Sequence, residues 1–249
     1  MAVIVAAVAE GVLVLSLLHG RSLRLGVSGL LLDITMLVTF IPLYRHRRFS
    51  RRALGLRGAP PGKSVGLVFC AVIAIAITNE LWLRGVLGLR QPNSLGITLR
   101  GGTGPLIAAG FFMSFSAPIT EEIFFRGFLY RALRNRMVVP LAVATDGILF
   151  GLVHGLSYPL DTLPPRMVFG AIACLLYEET GSLWPGIALH CLIDASGFEV
   201  AVTGHNRIVL PTFLGLAAIL LIYAGIRRVR PREQAPLPQP VRPDHANPA

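Results

Sequence analysis

The chain has 249 residues, of which 53% are hydrophobic and 14% charged, with a mean hydropathy of +0.65. This profile excludes an ordinary soluble globular domain and points to an integral membrane protein. The net charge of +10 does not indicate nucleic-acid binding, because the basic residues gather between apolar blocks instead of lying along a polar surface with interleaved aromatics.

The apolar blocks fall at 2–19, 25–44, 64–83, 104–134, 138–157, 166–179, 183–201 and 208–226. Most are close to the roughly 20 residues a helix needs to cross a bilayer core, so the expected fold is all-α, a polytopic transmembrane bundle of about eight spans. No Lys or Arg precedes His19, which argues against a cleaved signal peptide and for a retained first span. A Gly-x-Ser-Gly string at Gly26, Val27, Ser28 and Gly29 resembles the rhomboid serine-protease motif. It is short, and no histidine is placed to complete a dyad. Arg45, Arg47, Arg48, Arg51, Arg52, Arg57 and Lys63 then fill one connection, the pattern of a segment retained in the cytoplasm.

The block 104–134 is longer than one crossing, about 46 Å at 1.5 Å per residue. Pro118 is expected to kink it, leaving Glu121 and Glu122 near mid-length and Arg131, Arg134 and Arg136 at the cytoplasmic end. The block 166–179 is the shortest and could be re-entrant, but counting it as a span puts both termini in the cytoplasm with the arginine-rich segments. After the last block Arg227, Arg228, Arg230 and Arg232 lead into a proline-rich stretch. Residues 1–230 are therefore expected to form the membrane domain and 231–249 a disordered cytoplasmic tail. Cys70, Cys174 and Cys191 have no paired spacing and read as small apolar fillers.

Ionisable groups inside a membrane helix cost about 2.5–3.5 kcal/mol each on insertion scales. This chain nevertheless carries Glu121, Glu122 and Arg126 in one block, Asp146 and His154 in the next, and His190 and Asp194 in the seventh. Glu122 and Arg126, Phe150 and His154, and His190 and Asp194 are each separated by four residues, so each pair shares a helix face. Polar glue between helices accounts for Glu122 and Arg126. It leaves Glu121, both histidines and Asp194 without basic partners, whereas a carboxylate and an imidazole facing one water in a wet cavity form a general-base arrangement for hydrolysis. Asp146 reads as a structural hydrogen-bonding group. The His-Glu-x-x-His zinc signature is absent.

EEIFFR at 121–126, FGLVH at 150–154 and HCLID at 190–194, in this order on successive blocks, resemble the three motifs of the CPBP family of intramembrane proteases. That family, also called the CAAX protease and bacteriocin-processing or Abi family, includes the Ras-converting CAAX endopeptidases. The likeness covers roughly 104–200. It implies an eight-helix membrane enzyme with a cavity open to the cytosol, hydrolysing a peptide bond of a membrane-associated protein or peptide. Glu121 and His154 would position and deprotonate the attacking water, and His190 and Asp194 would bind the oxyanion. Glu122, Arg126 and Phe150 would support them. Asparagine is commoner at the position of Asp194. An ionised aspartate cannot donate to an oxyanion, so Asp194 either carries a proton or serves by orienting His190. The resemblance commits the chain to no cofactor, although Glu121, His154, His190 and Asp194 would make a nitrogen and oxygen ligand set suited to Zn²⁺.

Two other classes use similar residues. A non-proteolytic immunity or adaptor protein would retain the fold without the chemistry, and an ion-coupled transporter would use intramembrane Glu and His but also show paired broken-helix repeats. Twenty-two arginines against a single lysine among the 23 basic residues suggest a GC-rich coding sequence and hence a bacterial cell membrane. Prenylated substrates are not expected there, and the substrate stays open.

Overall fold

A computed structural model describes residues 54–88, 110–155 and 158–229, with 34, 36, 38 and 107. The expected blocks at 2–19 and, for the most part, 25–44, and the tail at 231–249, lie outside the described residues. Among those described, every regular element is helical.

Helix α1, Pro61–Glu80, continues as a π-helix over Leu81–Val86. Helix α2 is composite over 112–134: π-helical at Phe112–Ser116, α-helical at Ala117–Glu122, π-helical again at Ile123–Tyr130 and α-helical at Arg131–Arg134. Then come α3 (Val139–His154), a 3₁₀ turn at Leu160–Thr162, α4 (Leu163–Thr180), α5 (Trp184–Thr203) and α6 (Val209–Val229). A proline stands in the first two positions of α1, α3, α4 and α5, where its missing N–H would have had no helical partner.

The six helices fall on six of the expected blocks with ends shifted by a few residues. Two of them, Pro61–Val86 and Trp184–Thr203, are long and apolar enough to cross a membrane, and Val139–His154 and Val209–Ile222 are shorter apolar stretches. The shortest expected block, 166–179, is a full 18-residue helix. Its Arg166, Glu178 and Glu179 keep it from reading as a simple apolar span. The expectation at Pro118 is refined. Wide turns flank the proline's short α-helical segment, and the Ala117 N–H reaches back five residues to the Phe112 carbonyl, a geometry that often marks functional segments.

The core gathers Phe124 and Phe125 of α2, Phe150 of α3, Phe169 of α4 and Leu189 of α5 against Val72 and Ile75 of α1. Large apolar side chains also point outward, among them Ile77, Leu152, Leu175 and Ile222, as on helices that meet lipid. The closest approach is between α3 and α4. A Cβ on Gly147 would lie 2.7 Å from the Met167 carbonyl oxygen, and one on Gly170 would lie 2.8 Å from the Gly147 Cα. Only glycine permits this backbone contact, the usual device for close packing in membranes.

At the opposite end of α4 from Arg166, polar contacts join several elements. Gly181 closes the helix at φ +61° and its carbonyl accepts from Arg57 Nε at 2.6 Å. Ser182 Oγ donates to the Arg57 carbonyl at 2.6 Å, and Lys63 Nζ meets Glu179 Oε2 at 2.9 Å. Glu178 Oε1 accepts from Tyr130 Oη at 2.8 Å and from Arg134 Nε at 2.5 Å. Glu178 and Glu179 thus tie α1 and α2 to the end of α4.

Candidate active site

The α-helical segment Ala117–Glu122 places Glu121 and Glu122 next to each other, about 100° apart around the axis, and both are buried. They serve two different neighbourhoods.

Glu122 faces the sealed side. Its Oε1 accepts from Arg126 Nη1 at 2.8 Å and from His190 Nδ1 at 3.0 Å, and both Glu122 and Arg126 side chains are at most 1% exposed. Arg126 Nη2 donates to the Gly170 carbonyl at 2.9 Å, while Nε lies 3.7 Å from Asp146 Oδ1. Asp146 Oδ1 accepts from Cys174 Sγ at 3.1 Å. Asp146 therefore is hydrogen-bonded core, as its sequence context suggests, whereas Cys174 is a donor and not an inert filler. Gly186 of α5 makes room for this group, since a Cβ there would lie 2.9 Å from Glu122 Oε2.

Phe150 packs against both this floor and the imidazoles. The Arg126 guanidinium stands 4.6 Å from its ring centroid, and the His154 and His190 rings lie 4.7 and 5.6 Å away. Phe169 flanks His190 at 4.6 Å. The i,i+4 spacing of Phe150 and His154 produces this stack directly.

Glu121 faces the imidazoles. Its Oε2 is 3.8 Å from His154 Nε2 and 3.7 Å from His190 Nε2, and Asp194 Oδ2 is 3.7 Å from the same His190 nitrogen. His154 Nδ1 lies 2.8 Å from the Phe150 carbonyl oxygen. A carbonyl only accepts, so Nδ1 carries the proton in this contact, and in the neutral ring Nε2 presents a lone pair toward Glu121. His190 Nδ1 likewise donates to the Glu122 carboxylate, which turns His190 Nε2 toward Glu121 and Asp194.

All seven residues singled out in the sequence thus lie in one cluster built by α2, α3 and α5. Sequence reasoning missed two residues beside it, Tyr158 and Arg166. The Arg166 guanidinium lies 3.9 Å from the Tyr158 ring centroid, and the Tyr158 ring is 6.1 Å from that of His154. The only available signal was an arginine opening an apolar block. Among the described residues no group of three or more His, Cys, Asp or Glu side chains is arranged to hold a metal ion.

Residues 103–196, the segment that carries all three motifs, match the family model described as type II CAAX prenyl endopeptidase Rce1-like, which supports the resemblance to the CAAX protease family. No curated protein and no solved structure matches the chain.

Proposed function

We propose, on the premise that residues 103–196 are a segment of the CAAX-protease type, that the protein is an intramembrane endopeptidase that cuts a membrane-associated peptide with a water activated by Glu121 and His154. The observation that carries this reading is the facing pair of acceptors, Glu121 Oε2 and His154 Nε2, 3.8 Å apart. One water donating a hydrogen bond to each would keep an oxygen lone pair free for attack on a carbonyl carbon. As the new C–O bond forms, Glu121 takes one proton from that water and later passes it to the departing nitrogen as the C–N bond breaks, while the second stays on the new carboxyl group until that acid transfers it to the amine, so the products are a carboxylate and an ammonium. His190 Nε2 faces the same space. With Nδ1–H committed to Glu122, it donates to the oxyanion when it too carries a proton.

Glu122 and Arg126 support this arrangement from behind. The arginine holds the Glu122 oxygen that in turn aims His190, so their charges fix a ring orientation without meeting the substrate. The arginine-rich end, with Arg57, Lys63, Arg131 and Arg134, faces the cytoplasm in this reading.

The test uses the full chain in lipid vesicles with a library of quenched fluorescent peptides. Glu121→Gln keeps shape and removes the base. We expect kcat to fall by about 10²–10⁴-fold, with thermal melting little changed. Unaltered cleavage in this variant and in His154→Ala would sink the assignment.

A further inference from the structure

The arginine-rich end of the molecule encloses a cavity of about 290 Å³ lined by Arg57, Arg131, Tyr177, Glu178 and Gly181. Three separate stretches of chain meet there: the turn before α1, the last part of α2 and the end of α4. None of the lining residues belongs to the cluster around Glu121.

The polar groups of this cavity are mostly donors. Glu178 is its one carboxylate, and Oε1 already accepts from Tyr130 Oη at 2.8 Å and from Arg134 Nε at 2.5 Å, so it adds no uncompensated charge. Arg57 gives Nε to the Gly181 carbonyl at 2.6 Å, which leaves both its Nη groups. Among the described residues the half-buried Arg131 guanidinium and the Tyr177 hydroxyl make no hydrogen bond. The frame around them is built for close approach. Gly181 turns at φ +61°, and a Cβ there would collide with Arg57 Nη2; Gly55 turns at φ +87°, and a Cβ there would lie 2.5 Å from Tyr177 Cε2. The Tyr130 ring meets that of Tyr177 edge-on at 6.2 Å. Two guanidiniums and a phenol hydroxyl are therefore held together with too few acceptors inside the fold, and a phosphate carries enough anionic oxygens to serve all three. Trp184, 55% exposed, follows Gly181 by three residues and marks the depth at which aromatic side chains sit among headgroups. Basic pockets between membrane helices at that depth suit anionic headgroups.

We propose that this cavity is a binding site for a phosphate group at headgroup depth, held by Arg131, Arg57 and the Tyr177 hydroxyl. A phosphate there bridges the turn before α1, α2 and α4, and so braces the helix that carries Glu121 and Glu122. The inference does not depend on the endopeptidase reading. Because the ligand binds only the folded chain, it raises the melting temperature in proportion to its occupancy.

The test melts the full chain in a neutral detergent against rising concentrations of short-chain phosphatidylglycerol, short-chain phosphatidylcholine or inorganic phosphate. A saturable rise in Tm with phosphatidylglycerol is expected, and phosphatidylcholine, whose choline cancels the charge, should give little. A rise with phosphatidylglycerol alone assigns the site to a lipid headgroup, and a rise with inorganic phosphate as well shows that the free ion is also taken. A flat response to both overturns the proposal. Arg131→Gln is expected to weaken binding about 10-fold or more and to leave the unliganded Tm unchanged, since Arg131 holds nothing within the described fold. Tyr177→Phe deletes one neutral donor and should weaken binding by about 2- to 10-fold. Arg136→Gln removes the same charge from the same end of the molecule at an exposed residue outside the cavity, and should bind like the parent chain. If Arg136→Gln weakens binding as much as Arg131→Gln does, the attraction is diffuse surface charge and the site is overturned.

Discussion

The two sides of the Glu121–Glu122 pair differ in what surrounds them. Behind, Glu122, Arg126, Asp146 and Cys174 form a sealed network of mutual hydrogen bonds and charge pairing. In front, Glu121 Oε2 stands 3.8 Å from His154 Nε2 and 3.7 Å from His190 Nε2, and His190 Nε2 stands 3.7 Å from Asp194 Oδ2, spacings that suit a small molecule shared between them. The contrast teaches that adjacent identical residues can take opposite tasks when a helix turns them toward different partners: one is held so that the other can work.

Substitutions that act on one side and spare the other sharpen this division. The largest effect is expected from His154→Ala, which removes a front acceptor. A loss of cleavage of about 10²-fold or more, with a melting temperature close to that of the parent chain, is the expected outcome, and equal damage to both would erase the distinction. Arg126→Met should do the reverse. It strands the Glu122 and Asp146 carboxylates in the interior and should cost about 3–5 kcal/mol, seen as a large drop in thermal melting whatever substrate is offered. Gly186→Ala pushes a methyl group against Glu122 Oε2 and should cost about 1–3 kcal/mol, with His190 disturbed through the shared carboxylate. The smallest effect belongs to Cys174→Ala, which deletes one donor to Asp146 and should lower stability by about 1 kcal/mol while cleavage stays near the parent rate.

Much of this was legible in the sequence because helical spacing alone stacks residues four apart. Glu122 with Arg126, and Phe150 with His154, needed nothing more than a helix. The contacts between helices were not legible. That His190 bonds to Glu122 depends on how α5 is rotated against α2, and that rotation is set by Gly186 and by packing around Phe169. Cys174 looked like filler because its partner Asp146 comes from a different helix. Arg166 was hidden for the same reason: its position at a block edge suggests a flank, and only the fold brings its guanidinium over the Tyr158 ring. The close fit of α3 on α4 was visible in principle, since Gly147 and Gly151 are four apart, a spacing that lets two membrane helices approach closely.

The wide turns over Ile123–Tyr130 make this stretch tolerant in length. A π-turn accommodates one more residue than the α-helix it interrupts. Removing a single residue between 123 and 130 should therefore be absorbed by closing a wide turn to an α-turn, which leaves Tyr130 and Arg134 in phase with Glu178. The same deletion in the α-helical stretch Val139–His154 would swing whatever follows by about 100° about the axis. A one-codon deletion should thus be less damaging in this segment than in the regular helix next to it.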